Sequence, residues 1–153
     1  MYTSSVVAQR DARSQLAGVR HSLLDLHKHL ISAVQQDFEK LHGRVAGPGA
    51  LLQLLLSDPL FSWLRPVSIM LAELEELDEA EDTVWDAEKL ADIRNTIEHW
   101  ITDTGDGNEF TTNYLAFLQN DPELVMAHAA LRRQLSVLPK LEPRRADATL
   151  VLA

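Results

Sequence analysis

From Asp11 to His42 the chain contains no proline and a single glycine, Gly18. Turning about 100° per residue from Leu23 brings Leu16, Val19, Leu26, Leu30, Val34, Phe38 and Leu41 within about 60° of one direction. A one-sided apolar stripe held over some thirty residues predicts one amphipathic helix about 45 Å long. Gly43 follows directly and reads as its C-terminal stop. A stripe of that length must be covered by neighbouring elements, and no alternating strand pattern competes elsewhere in the chain.

The segment after the Gly47-Pro48-Gly49 turn predicts a second helical region from about Pro48 to Ala80. It begins LLQLLL, breaks at Asp58-Pro59 and breaks again at Arg65-Pro66. A proline inside a helix removes one backbone hydrogen bond and clashes with the preceding turn, at a cost of roughly 3 kcal/mol. A shaped helix with a polar inclusion is therefore expected, with Phe61 and Trp63 between the breaks. The region ends on Glu73, Glu75, Glu76, Asp78, Glu79, Glu81 and Asp82, acids that oppose the macrodipole at a helix C-terminus. They read as a solvated face. The leucines of 51–56 point in nearly every direction around a helix. Some of them must therefore meet a second subunit or the chain's own tail, and a homodimer is expected.

Thr83 or Asp86 can cap a third helix reaching about Thr102, with Leu90, Ile93, Ile97, Trp100 and Ile101 on one side. The stretch from Asp103 to Asn108 is a turn-rich loop that lacks the later acidic ligand and the spacing of an EF-hand. A fourth helix runs from about Glu109 to Leu138, interrupted at Asp121-Pro122. Phe110, Tyr114, Phe117, Leu124, Leu131 and Leu135 stay on one side. Short connections imply antiparallel neighbours. The expected fold is an all-α, up-down-up-down four-helix bundle with proline-kinked second and fourth helices. It forms one domain over 1–153, with a core at about 11–138 and an irregular tail at 139–153. The Leu150-Val151-Leu152 end of that tail is a candidate to dock on the body or on a partner.

Helix phase sorts the histidines. His27 and His128 fall on apolar stripes, whereas His21, His29 and His99 face outward and His42 sits at a helix end. Counting residues from the turns puts His27, Arg65 and His128 at one height, with an acid such as Asp58, Asp86 or Asp121. Three readings of that layer stand open. It is a buried hydrogen-bonded network that fixes helix register. Or it is a metal or haem site, although the Glu plus Glu-x-x-His pairs of di-iron bundles, HxxxH and HExxH are all missing. Or it is a pocket lined by Trp63, Phe61, His27, His128 and Arg65, in which the guanidinium holds a small anionic ligand. The structural reading is preferred, and His27 and His128 are weak metal candidates. No nucleophile elbow, phosphate loop or dinucleotide fingerprint occurs. No catalytic residue and no cofactor are therefore assigned.

Composition narrows the remaining classes. With 23 acidic against 14 basic residues the net charge is −9, and the basic residues are scattered, which argues against nucleic acid as a partner. The chain has no cysteine, so disulfide, thiolate and CxxC chemistry are excluded. The N-terminal MYTSSVVAQRDARSQ lacks the basic and apolar regions of a secretory signal, and no apolar run is long enough to span a bilayer. A soluble cytoplasmic protein without a membrane role is expected.

One segment resembles known proteins. Asp58-Pro59-Leu60-Phe61-Ser62-Trp63-Leu64-Arg65-Pro66-Val67-Ser68, with Leu26-His27-Lys28-His29-Leu30 and Asp121-Pro122-Glu123-Leu124-Val125-Met126-Ala127-His128-Ala129, is similar to a family of small bacterial helical proteins with no assigned function. The resemblance covers about residues 12–138. It implies a bacterial, cytoplasmic protein and supplies no activity, cofactor or catalytic residue. The function expected from the chain is that of a non-enzymatic helical module acting through self-association or partner binding. The alternative is a ligand- or metal-binding bundle.

Overall fold

The computed structural model describes residues 2–80 and 84–140, with side chains from Gln9 onward. Every regular element among the described residues is helical. They are α1 (Tyr2–His42), α2 (Pro48–Ser57), α3 (Pro59–Ser62), α4 (Arg65–Glu79), α5 (Ala87–Ile101), α6 (Glu109–Leu118) and α7 (Pro122–Leu135). The tail of the sequence reading, the possible cap Thr83 and the acids Glu81 and Asp82 lie outside the described residues, apart from 139–140.

The breaks are sharper than kinks. Asp58 and Asp121 have extended backbone, and each accepts hydrogen bonds from the first turn of the helix after it. Pro59 and Pro122 occupy the first helical positions, where a missing N–H costs nothing. An Asp-Pro pair therefore ends one helix and caps the next. The second expected helix is three helices and the fourth is two.

Helix α1 is the organising rod. Leu16, Val19, Leu23, Leu26, Leu30 and Val34 are all buried on the expected face, and His21 is exposed. Helix α4 packs antiparallel along one side. Phe38 meets Phe61 at 5.8 Å between ring centroids, His27 bonds Ser68, Arg20 reaches Asp78, and Arg13 donates to the Ala80 carbonyl. Helix α7 packs antiparallel along another side, with His29 near Glu123 and the Gln134 carboxamide lying against Gly18. A Cβ at Gly18 would meet that carboxamide, the movable end of a flexible side chain, and turn it aside. Helix α5 rests on α6 and α7. The Thr111 hydroxyl donates to the His99 and Trp100 carbonyls and fastens the end of α5 to α6.

The stripe fails at its C-terminal end. Phe38 is only partly buried and Leu41 is 73% exposed. Helix α7 begins at Pro122, level with His29, so it does not extend over the last three turns of α1. His29, expected outside, is half-covered because Asp25 and Glu123 flank it.

Leu30 is fully buried, so Leu30→Ala should cost about 2–5 kcal/mol in chemical denaturation. His21→Ala should change stability by less than about 0.5 kcal/mol. The reverse order would show that the buried face of α1 is misassigned.

Candidate functional site

The polar layer expected near mid-bundle separates into three unconnected arrangements. His27 is 8% exposed, and its Nε2 shares a 3.1 Å hydrogen bond with the Ser68 hydroxyl of α4. His128 is half-buried on α7, and its Nδ1 lies 2.6 Å from the hydroxyl of Tyr114 on α6. Burial pushes the Tyr114 phenol up, so it keeps its proton and donates, and Nδ1 of a neutral His128 accepts. Arg65 is exposed and donates to the Leu56 carbonyl at 3.0 Å. That bond satisfies an orphan group at the C-terminus of α2 and suits the negative end of the helix.

Among the described residues no hydrogen bond or ion pair joins any two of His27, Arg65 and His128. The expected shared layer therefore does not form. Residue counting set the heights, but the turns at Asp58 and Leu64 redirect the chain and leave Arg65 on the surface. The three acids proposed for the layer are all helix caps. Asp58 accepts from Leu60 N, Asp86 from Lys89 N, and Asp121 from Glu123 N and Leu124 N. Phe61 is fully buried against Phe38. Among the described residues no three His, Asp or Glu side chains stand close enough together to hold a metal ion, and His27 and His128 bind other partners.

Trp63, a predicted site residue, lines an open space. Its indole N–H donates to the Leu60 carbonyl, and its ring stacks on Phe117 at 5.9 Å and meets the edge of Phe110 at 5.2 Å. Beside it runs a groove of about 380 Å³. Val34, Asp37 and Leu41 of α1 form one wall, and Pro59 and Leu60 of α3 form the floor with Trp63. Glu109, Asn113 and Phe117 of α6 form the opposite wall. The groove is apolar at its base, with two carboxylates, Asp37 and Glu109, at its rim.

Next to the groove lies α2. None of its residues is buried, although residues 45–57 carry no charged side chain. Leu52 and Leu56 are 54% and 60% exposed, while Leu51, Leu54 and Leu55 are partly covered. Its main neighbour is the short α3. With Leu41 and Leu60, also exposed, these leucines gather apolar surface at the end of the molecule where α1 stops. Soluble monomers rarely leave such patches bare.

Two polar anchors went unread in the sequence. Arg94 is 8% exposed, pairs with Glu98 at 2.8 Å and donates to the Ser136 and Leu138 carbonyls beyond α7. It sits four residues after Leu90 and three before Ile97, on the apolar phase, so its inward position was legible. The Gln9 carboxamide exchanges two 2.7 Å hydrogen bonds with the backbone of Trp85. Nothing in the sequence signals a pairing across that separation.

No family model, curated protein or solved structure matches the chain. Among the described residues no helix is long and apolar enough to cross a membrane.

Two outcomes follow from the histidines. Tyr114 is fully buried, so His128→Ala strands its hydroxyl and should cost roughly 1–3 kcal/mol in denaturation. Adding Tyr114→Phe should recover most of that loss, and strict additivity would show that the two groups are not coupled. Burial holds both His27 and His128 below the ordinary 6.5, with repulsion from Arg132 adding to the effect at His128. The unfolded chain then takes up protons at higher pH than the folded one. The stability these groups contribute is complete above about pH 6.5 and is lost as pH falls through their lowered native values. Denaturation midpoints between about pH 7 and pH 5 should fall less steeply for His27→Gln than for the wild type.

Proposed function

We propose that the chain is a non-enzymatic helical module that works by pairing with a second copy of itself through the apolar end formed by α2. The observation that carries the reading is a leucine-rich, charge-free helix with no buried residue. Charge favours a second copy at this place. A chain of net charge −9 repels itself over most of its surface, and residues 45–57 offer an approach without acids.

In this reading the helices of the described residues form an all-α bundle around α1: α4 and α7 run antiparallel to it, α6 folds back against α7, and α5 rests on both. The absence of cysteine suits a reducing, cytoplasmic setting. The resemblance of 58–68 to small bacterial proteins suits a bacterial origin.

Sedimentation velocity across a concentration series tests the pairing. The wild type should pass from monomer to dimer. Leu52→Glu with Leu56→Glu should weaken association by about 100-fold, the equivalent of about 3 kcal/mol for two leucines that no longer bury. Helicity and unfolding midpoint should not change, because both residues are exposed in the single chain. A wild type that stays monomeric at every concentration overturns the proposal.

A further inference from the structure

We infer that the groove between α1, α3 and α6 is the seat for α2 of a second copy, so that two chains exchange their leucine helices reciprocally. The inference rests on the pairing proposed above and names its mode. Two surfaces stand side by side at one end of the molecule, one protruding and one concave. Leu52 and Leu56 project from α2, and Leu41, Leu60, Trp63 and Phe117 lie along the groove. A chain's own α2 is held beside the groove by its contact with α3, so its outward leucines cannot turn into it. A second copy approaching about a two-fold axis can seat α2 in the groove while receiving the partner's α2 in its own. That makes the contact isologous and closed.

Charge selects the same arrangement. The groove rim carries Asp37 and Glu109. The N-terminus of α2 follows Gly47, which has no side chain to cap it, so its first N–H groups are unpaired by any cap side chain. That end bears the positive pole of the helix and follows Arg44 in sequence. Seating α2 with its N-terminus toward the rim matches positive to negative, while the leucines meet the apolar floor. Direct packing of α2 on α2 about the same axis would cover the leucines but leave the groove open, with Asp37 facing only the exposed Lys40 at 3.9 Å and Glu109 only the first turn of its own helix.

The cysteine-free chain makes the test clean. One batch carries Leu52→Cys and a second carries Asn113→Cys. Both are mixed, exposed to a short bis-maleimide, and sized under denaturing conditions, with circular dichroism on each variant to verify folding. The expected product is a dimer-mass band linking the two variants, absent or far weaker when either is treated alone. A dimer in sedimentation that lacks this mixed band, including one in which Leu52→Cys copies link to each other, overturns the seating and leaves the pairing through α2 standing. A monomer at every concentration overturns both. In a chain carrying Asn113→Cys and Val151→Cys, an internal link within a monomer would assign the groove to the tail and likewise overturn both.

Discussion

The rest of the molecule depends on the burial of one face of α1. Leu16, Val19, Leu23, Leu26, Leu30 and Val34 are each no more than 5% exposed. A fully buried side chain of this kind stabilises by roughly 1.5–3 kcal/mol, an upper figure when the unfolded chain is compact. Among the described residues no other element offers a comparable continuous stripe, so α4 and α7 are placed by what they cover on α1. The polar contacts then fix register rather than supply the bulk of the energy. His27 sits inside the stripe, and Ser68 is the partner that makes its burial tolerable. A one-turn slip of α4 would leave an imidazole facing leucines without a hydrogen bond.

Much of this was legible because helical phase is local. The stripe residues of α1, α5, α6 and α7 could be assigned inward from spacing alone, and His27 with them. What spacing does not carry is the relation between helices. The height assigned to Arg65 assumed that phase runs on through Asp58-Pro59 and Arg65-Pro66. Each break instead starts a new helix with its own axis, and Arg65 emerges on the surface over the end of α2. The partner of His128 was missed for a related reason. Asp121 restarts the fourth helix, which folds α7 back so that Tyr114, fourteen residues upstream, comes within 2.6 Å. Leu41 follows the stripe yet stays exposed, because a periodic pattern tells which way a residue points, not whether anything is there to cover it. Arg94 lies on an apolar phase as His27 does, but arginine is seldom buried, so residue type and spacing point opposite ways there.

The exposed leucines have a geometric cause. α1 can take only a few neighbours, and α3, α4 and α7 already occupy its apolar side. Asp58-Pro59 ends α2 after ten residues, about 15 Å of helix, before it can run along the core. Pro59 then starts α3 in a direction that buries Phe61 and Trp63. The aromatic pair reaches the core while α2 lays only Leu51, Leu54 and Leu55 partly against it. A continuous helix in place of α2 and α3 would have to bury either the leucines or the aromatics, and the proline selects the aromatics. The apolar surface left over is thus a consequence of how the core is filled, and it collects beside the groove that the same turn opens.

Electrostatics makes that end of the molecule suited to contact between like chains. The acids of α4 from Glu73 to Glu79 gather at its C-terminus, where Arg13 donates to the Ala80 carbonyl and Arg20 reaches Asp78. Arg20 and Leu41 are separated by about 30 Å of helix. At physiological salt the screening length is about 8 Å, so charges at the acidic end act only weakly on a partner that approaches the α2 end. The same net charge opposes contacts made side to side, where acidic surfaces would meet within that length. A strongly acidic chain with a charge-free apolar helix at one end therefore restricts where a copy can approach. The carboxylates that do stand at this end, Asp37 and Glu109, flank a concave surface; Lys40 lies 3.9 Å from Asp37 and Glu109 occupies the first turn of α6, so neither adds a bare charge against an approaching copy.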